Sequence, residues 1–348
     1  MDDYGKRIIL IMKNNKKIDD NQKMASVNID NQELVDYFTL SSKGLANPIA
    51  TIEEVFEGTS LNEIKEKINN FDQNRNSLNY NNSRERIKNV IMVDHKSTSA
   101  STFGLESRTM LPGSIFWRSR VVGDFKAILE ETEFWAPSDG FVKKDGRVNY
   151  AGQGVLYTSV HPSTTALEVR SRAGDKIISI SYEAVSEIDV MWVEKKFKNI
   201  GYSGKIFKKI EKINNFISKN LRKIGQDAYI FSATFANHFL PQDCAGWVFK
   251  STLDSSGWNY CFKPGRISEK LRILKIYTFE CDHDGELGKL VGSYTKSEEG
   301  IYRYNDDQEF VINDWKKFIK EKNGNGSSGD LTTVIEEHSP YTPMIITV

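Results

Sequence analysis

Between Lys205 and Ile224 the apolar residues Ile206, Ile210, Ile213, Ile217, Leu221 and Ile224 recur at helical spacing. Such a stripe predicts one amphipathic helix. The opposite face carries Lys205, Lys208, Lys209, Lys212, Lys219, Arg222 and Lys223. This basic face reads first as a solvated surface and second as a local dock for an acidic partner or anionic membrane. Ile64, Ile68 and Phe71 repeat the helical spacing over Ser60–Phe71, and Ala228–His238 suggests a further helix.

Elsewhere the pattern is that of strands. Ile115–Trp117, Val155–Val160, Ile177–Tyr182, Ile188–Val193 and Arg272–Glu280 are β-branched or aromatic runs. Trp247–Leu253 and Trp258–Phe262 flank Asp254-Ser255-Ser256-Gly257 as a hairpin. Pro162 and Ser163 open a helix that should run through Glu168 and Arg172. The Asn-rich stretch Asp72–Ser83 and the small polar residues Ser97–Thr102 read as connections, Val90–Val93 as a short strand, and Gly140–Asn149 as turn-rich.

Strands and helices mix without regular βαβ alternation, and neither GxGxxG nor GxxxxGK[ST] occurs. These features argue against a doubly wound nucleotide fold and for the α+β class, a compact mixed β-sheet core with flanking helices. The expected organisation is an N-terminal extension over 1–110, partly helical and of unknown role. A catalytic unit over 111–281 follows, with the helix near 200–225 as an insertion. A C-terminal extension over 282–348 completes the chain, with a flexible linker at 323–330. On this division, removing Met1–Thr109 should leave a folded core.

Composition narrows the function classes. Lys plus Arg and Asp plus Glu are 47 each among 348 residues, so no global footprint of a nucleic-acid partner exists. No run approaches the roughly 18 apolar residues of a membrane span, and Ile8–Met12 is too short for a secretory signal. Cys244, Cys261 and Cys281 form no CxxC pair, and the five histidines form no HExxH. The expectation is a reduced, cytoplasmic protein without a metal or resident cofactor.

Four segments stand out in order: Phe116-Trp117-Arg118; Gly146-Arg147-Val148-Asn149; Val155-Leu156-Tyr157 through Thr164-Thr165-Ala166-Leu167-Glu168; and Gly246-Trp247-Val248-Phe249-Lys250-Ser251. Trp258-Asn259-Tyr260-Cys261-Phe262 follows them. The ordered set, spanning Ser114–Glu280, resembles the bacterial RES family, named for its arginine, glutamate and serine. Val148 departs from the aromatic common inside the Gly-Arg-x-Asn turn, and the Lys/Ile helix, the N-terminal extension and the tail lie outside the usual unit.

The resemblance implies an ADP-ribosyltransferase-like fold and an enzyme that takes NAD as substrate. It would be a glycohydrolase or phosphorylase that breaks the nicotinamide–ribose bond, acting as a growth-inhibiting toxin with an antitoxin or immunity-type partner. The alternatives are ADP-ribosyl transfer to a protein or small molecule, and a non-enzymatic interaction module. Glu168 and Ser251 would then be catalytic, with Arg118, Arg147, Tyr157 and Asn259 binding the dinucleotide.

The chemistry suits these residue types. Nicotinamide leaves as a neutral group, positive charge develops on the ribose, and a carboxylate stabilises it. The planar fork of Arg suits a pyrophosphate, and Arg120, on the same strand face as Arg118, could substitute for it. Tyr157 could stack on nicotinamide or donate to a ribose hydroxyl. Each assignment has a plainer counterpart. Thr165-Ala166-Leu167-Glu168 also fits a capping box, in which Glu168 merely stabilises its helix. Arg118 could end its strand in a salt bridge, Tyr157 could belong to the core, and Ser251 could bond only to backbone.

Overall fold

The computed structural model describes residues 8–11, 35–40, 48–95, 98–125, 130–193, 203–240, 242–284 and 287–323. The expected linker at 323–330 and the tail beyond it lie outside the described residues, save for Asn323. In chain order the elements are β1 (Ile8–Ile11), β2 (Val35–Leu40), α1 (Pro48–Glu57), α2 (Leu61–Gln73), α3 (Ser83–Ile91), β3 (Val93–His95) and β4 (Thr98–Met110). Next come β5 (Ile115–Val122), β6 (Leu156–Ser159), α4 (Pro162–Glu168), β7 (Lys176–Ala184), β8 (Ile188–Val193), α5 (Gly204–Leu221) and α6 (Gln226–Phe239). The last are β9 (Gly246–Lys250), β10 (Trp258–Phe262), α7 (Pro264–Ile267), β11 (Leu271–Cys281), β12 (Leu287–Lys296), β13 (Tyr302–Asn305) and α8 (Gln308–Asn323).

The class is α+β. Thirteen described strands form one sheet in the order β1-β2-β4-β8-β9-β10-β6-β5-β7-β11-β12-β13, with β3 paired to β4. Every pairing is antiparallel except β8 with β9. The sheet has one weak seam. β5 pairs with β7 along its whole length, Ile115 to Val122, but meets β6 only at Trp117↔Ser159. Beyond that pair the facing edges of β5 and β6 separate, and no ladder takes up their backbone groups across the gap.

Helices cover the two halves of the sheet differently. In one cluster Phe71 of α2 sets its ring edge-on to Phe216 of α5 at 5.1 Å and to Phe231 of α6 at 5.8 Å. The same core takes in Ile87 of α3, Trp247 and Phe249 of β9, and Cys261 of β10. On the far half, Trp315 and Phe318 of α8 pack on Trp117 and Tyr277. The α5 stripe is buried from Ile206 to Leu221 because α2, α6 and β4 close over it. Ile224 lies past the end of α5 and is exposed.

Position 110 therefore does not separate two cores: α1–α3 share one hydrophobic cluster with α5, α6 and β9. The apolar run at Val90–Val93 straddles the end of α3 and the start of β3 rather than forming one strand. Ser97–Thr102 reads as a connection by composition, yet 98–102 lies in β4, where 98–100 pair with β3 and 100–102 with β2. Ladder pairing to β3 and β2 outweighs the low strand preference of its small polar residues.

Candidate active site

A cavity of about 540 Å³ occupies the seam, within the size range of small-molecule sites. Residues from both faces of the strands line it, Arg118 and Ser119 on β5, Tyr157 and Thr158 on β6. This is the geometry of a gap between strand edges, not of a bowl on one face, since successive side chains point to opposite faces.

Glu168 enters this gap from the last residue of α4. The helix starts at Pro162, after His161, whose side chain makes no cap bond, so Glu168 is not at the third helical position and the capping-box reading fails. Thr165 instead donates to the Pro162 carbonyl at 2.7 Å, and its hydroxyl lies 2.7 Å from that of Ser119. The helix also stops four residues before the expected Arg172, as Arg170 turns into the left-handed region at φ 54°. A carboxylate at the C-terminal end of a helix opposes the helix dipole, so other contacts must hold it.

Two side chains do so. Ser251 Oγ and Asn259 Nδ2 each donate to Glu168 Oε1 at 2.6 Å. Ser251 Oγ itself accepts from the Leu253 and Asp254 amides at 3.2 and 3.0 Å. With its lone pairs so engaged, its single proton is directed at Glu168. Ser251 is thus a buried donor behind the carboxylate. Asn259 is fixed by its place in β10, opposite Ser159 and Phe249. Glu168 Oε2 has no protein donor among the described residues, and the side chain remains partly exposed.

The loop carrying Ser251 is clamped to α4, because Thr164 donates to Asp254 Oδ2. Burial pushes the Asp254 carboxyl up, but hydrogen bonds from Ser256, Thr164 and backbone amides outweigh it and hold it below its usual value. A side chain at Gly257 would strike Asp254 and Thr164 at 2.5–2.6 Å, so this closure needs glycine.

The arginines are both at the cavity, on different supports. Arg118 donates to the Trp135 carbonyl, and burial lowers its pKa from the usual arginine value. Arg120 donates to the Glu133 carbonyl at 2.6 Å. Arg147 is buried, with Nη1 on the Leu221 carbonyl and Nη2 on Thr252 Oγ1, both at 3.0 Å. These two bonds leave other guanidinium donors for a ligand.

Tyr157 lines the cavity with its ring, but its hydroxyl is committed. It donates to Asn149 Oδ1 at 2.7 Å and accepts from the Val148 amide at 3.2 Å. Burial raises its pKa well above the ordinary tyrosine value. Tyr157 therefore offers a face for stacking and pins the Gly146–Asn149 turn. A Cβ at Gly146 would lie 2.4 Å from Asn149 Oδ1 and 2.7 Å from the Tyr157 hydroxyl.

Arg118, Arg147, Tyr157, Glu168 and Asn259 thus line one cavity, with Ser251 bonded behind Glu168. Tyr229 of α6 and Cys261 of β10 also face it. Burial raises the Cys261 thiol pKa, partly offset by Arg147, so it is no ready nucleophile. Tyr229 sits in an apolar helical run that gives no local signal, and Thr252 is marked only by following Ser251.

The mixed sheet thus opens at one seam onto a hydrogen-bonded glutamate and two arginines. The RES domain family model matches residues 115–282, just under half of the chain. No curated protein matches the chain. Among solved structures, a chain of the M. tuberculosis MbcT–MbcA toxin–antitoxin complex is 12% identical, with 51% of this chain and 88% of that chain covered at a TM-score of 0.30. Among the described residues no helix is long and apolar enough to cross a membrane.

Proposed function

We propose that this protein cleaves the nicotinamide–ribose bond of NAD. The observation that carries the reading is Glu168, held on one oxygen by Ser251 and Asn259 inside a cavity that also presents Arg118 and Arg147. As the C–N bond breaks, its electron pair stays with nicotinamide, which becomes neutral, and positive charge develops at the ribose carbon. Glu168 stabilises that charge from a fixed position, the kind of preorganised contact that costs no reorganisation during reaction. Arg118 and Arg147 take the two negative charges of the pyrophosphate. The open edges of β5 and β6 offer backbone partners to the nicotinamide carboxamide, and Tyr157 offers a ring face.

The acceptor then forms the new C–O bond, water releasing its proton to solvent or phosphate adding directly. Depletion of NAD would make the protein growth-inhibiting, which in turn calls for an antitoxin or immunity-type partner. Purified full chain should be incubated with NAD in phosphate-free buffer and again in phosphate, and the products separated by mass. Nicotinamide with ADP-ribose, or with its 1″-phosphate, supports the reading and identifies the acceptor. Intact NAD in both buffers overturns it.

A further inference from the structure

The turn that presents Arg147 is bolted to residues far outside the RES match. Tyr80, between α2 and α3, donates its hydroxyl to Asp145 Oδ2 at 2.5 Å, and its ring stands edge-on to Tyr150 at 5.6 Å. The other Asp145 oxygen accepts from the Ala151 amide at 2.8 Å, so this buried carboxylate ties the two ends of the turn together. Tyr150 in turn donates to Thr234 on α6, which donates to Ser83 at the start of α3, both at 2.9 Å. From the other side, the Leu221 carbonyl at the end of α5 holds Arg147. With a Cβ excluded at Gly146, the turn has little room to adjust.

We propose that Tyr80 is a positioning residue for dinucleotide binding, acting through Asp145 on the turn that carries Arg147. The proposal rests on the reading of the cleft as an NAD site. The helical layer before residue 92 is then a working part of the site, adding a brace from behind to an arginine turn that Tyr157, Thr252 and the end of α5 hold from within the matched segment. The contact is built to persist across working pH, because Asp145 pushes the Tyr80 hydroxyl up to about 12 and it stays a donor. Tyr80 is 57% exposed, so removing its hydroxyl opens no cavity. The effect of Tyr80→Phe can therefore be read without a collapse of the core.

The experiment compares full-length wild type, Tyr80→Phe and a control, Lys219→Ala. The control breaks the α5–α2 ion pair with Asp72 in the same helical layer but touches nothing at the turn. NAD affinity is measured by calorimetry, KM and kcat by nicotinamide release, and Tm by thermal unfolding. Loss of this single hydrogen bond should weaken NAD binding and raise KM about fivefold, with kcat and Tm close to wild type and Lys219→Ala unchanged in all four. Unaltered affinity and KM in Tyr80→Phe, or a fall in kcat and Tm together, would overturn the proposal. Wild type that binds NAD without cleaving it defeats the cleavage reading alone, and the calorimetric comparison still decides Tyr80. Wild type that does not bind NAD defeats both.

Discussion

Glu168 is the residue on which a structural and a chemical role give different numbers. It caps nothing, since α4 starts at Pro162 and ends at Glu168 itself. Glu168→Gln keeps the shape and can still accept from Ser251 and Asn259, but it removes the negative charge that faces the cavity. Ser251 invites a second prediction. Ser251→Ala takes one donor from Glu168 and leaves the Leu253 and Asp254 amides without their acceptor. Stability should fall by about 1–2 kcal/mol, and NAD cleavage by about tenfold, because Asn259 alone then orients the carboxylate. Unfolding curves together with the rate of nicotinamide release check this. Unchanged turnover in a stable Ser251→Ala variant would reduce Ser251 to a loop brace.

At the scale of elements, much of the site was legible and its scaffold was not. The spacing of Phe116-Trp117-Arg118, Gly146-Arg147, Tyr157, Glu168 and Asn259 marks segments that meet at one cavity, with Ser251 bonded behind Glu168. What α4 does with Glu168 was not legible, because Thr165-Ala166-Leu167-Glu168 satisfies a capping pattern that only the observed helix start excludes. The N-terminal helices were seen in part, as Ile64, Ile68 and Phe71, but periodicity says which face is buried and not against what. Their partner is the α5 stripe, more than a hundred residues away in the chain. Phe71→Ala should accordingly cost roughly 3–5 kcal/mol, measured by denaturant unfolding. A cost below 1 kcal/mol would show that the N-terminal helices are peripheral to the core.

The other end of the fold has its own fastening. Glu183 on β7 accepts from Arg272 of β11 at 2.5 Å and from Lys322 of α8 at 2.8 Å. Burial alone would raise this carboxyl, but the Lys322 and Arg272 hydrogen bonds outweigh it and its pKa is lowered from 4.5. A lowered folded value means that Glu183 contributes stability above its unfolded pKa, and that this contribution is lost as pH falls through the folded value. Tm should therefore drop on acidification below pH of about 4.5 more steeply in wild type than in Glu183→Gln. Parallel acid limbs would show that Glu183 adds nothing to the hold that Asp314 and the Trp315 and Phe318 packing already give α8.

The described strands form one large sheet that opens at the β5–β6 seam, with α4 and α6 lining the opening. The matched segment supplies the carboxylate, its two donors, the arginines and α5, while α1–α3 from before it complete the core behind the Gly146–Asn149 turn. On the proposed function this assembly holds one negative charge where positive charge develops during NAD cleavage. Nicotinamide release at saturating NAD, compared between wild type and Glu168→Gln, tests it most directly. Turnover should fall about 10²-fold or more in the Gln variant, roughly 3 kcal/mol of transition-state stabilisation, with NAD affinity and Tm little changed. Turnover by Glu168→Gln at the wild-type rate would contradict it.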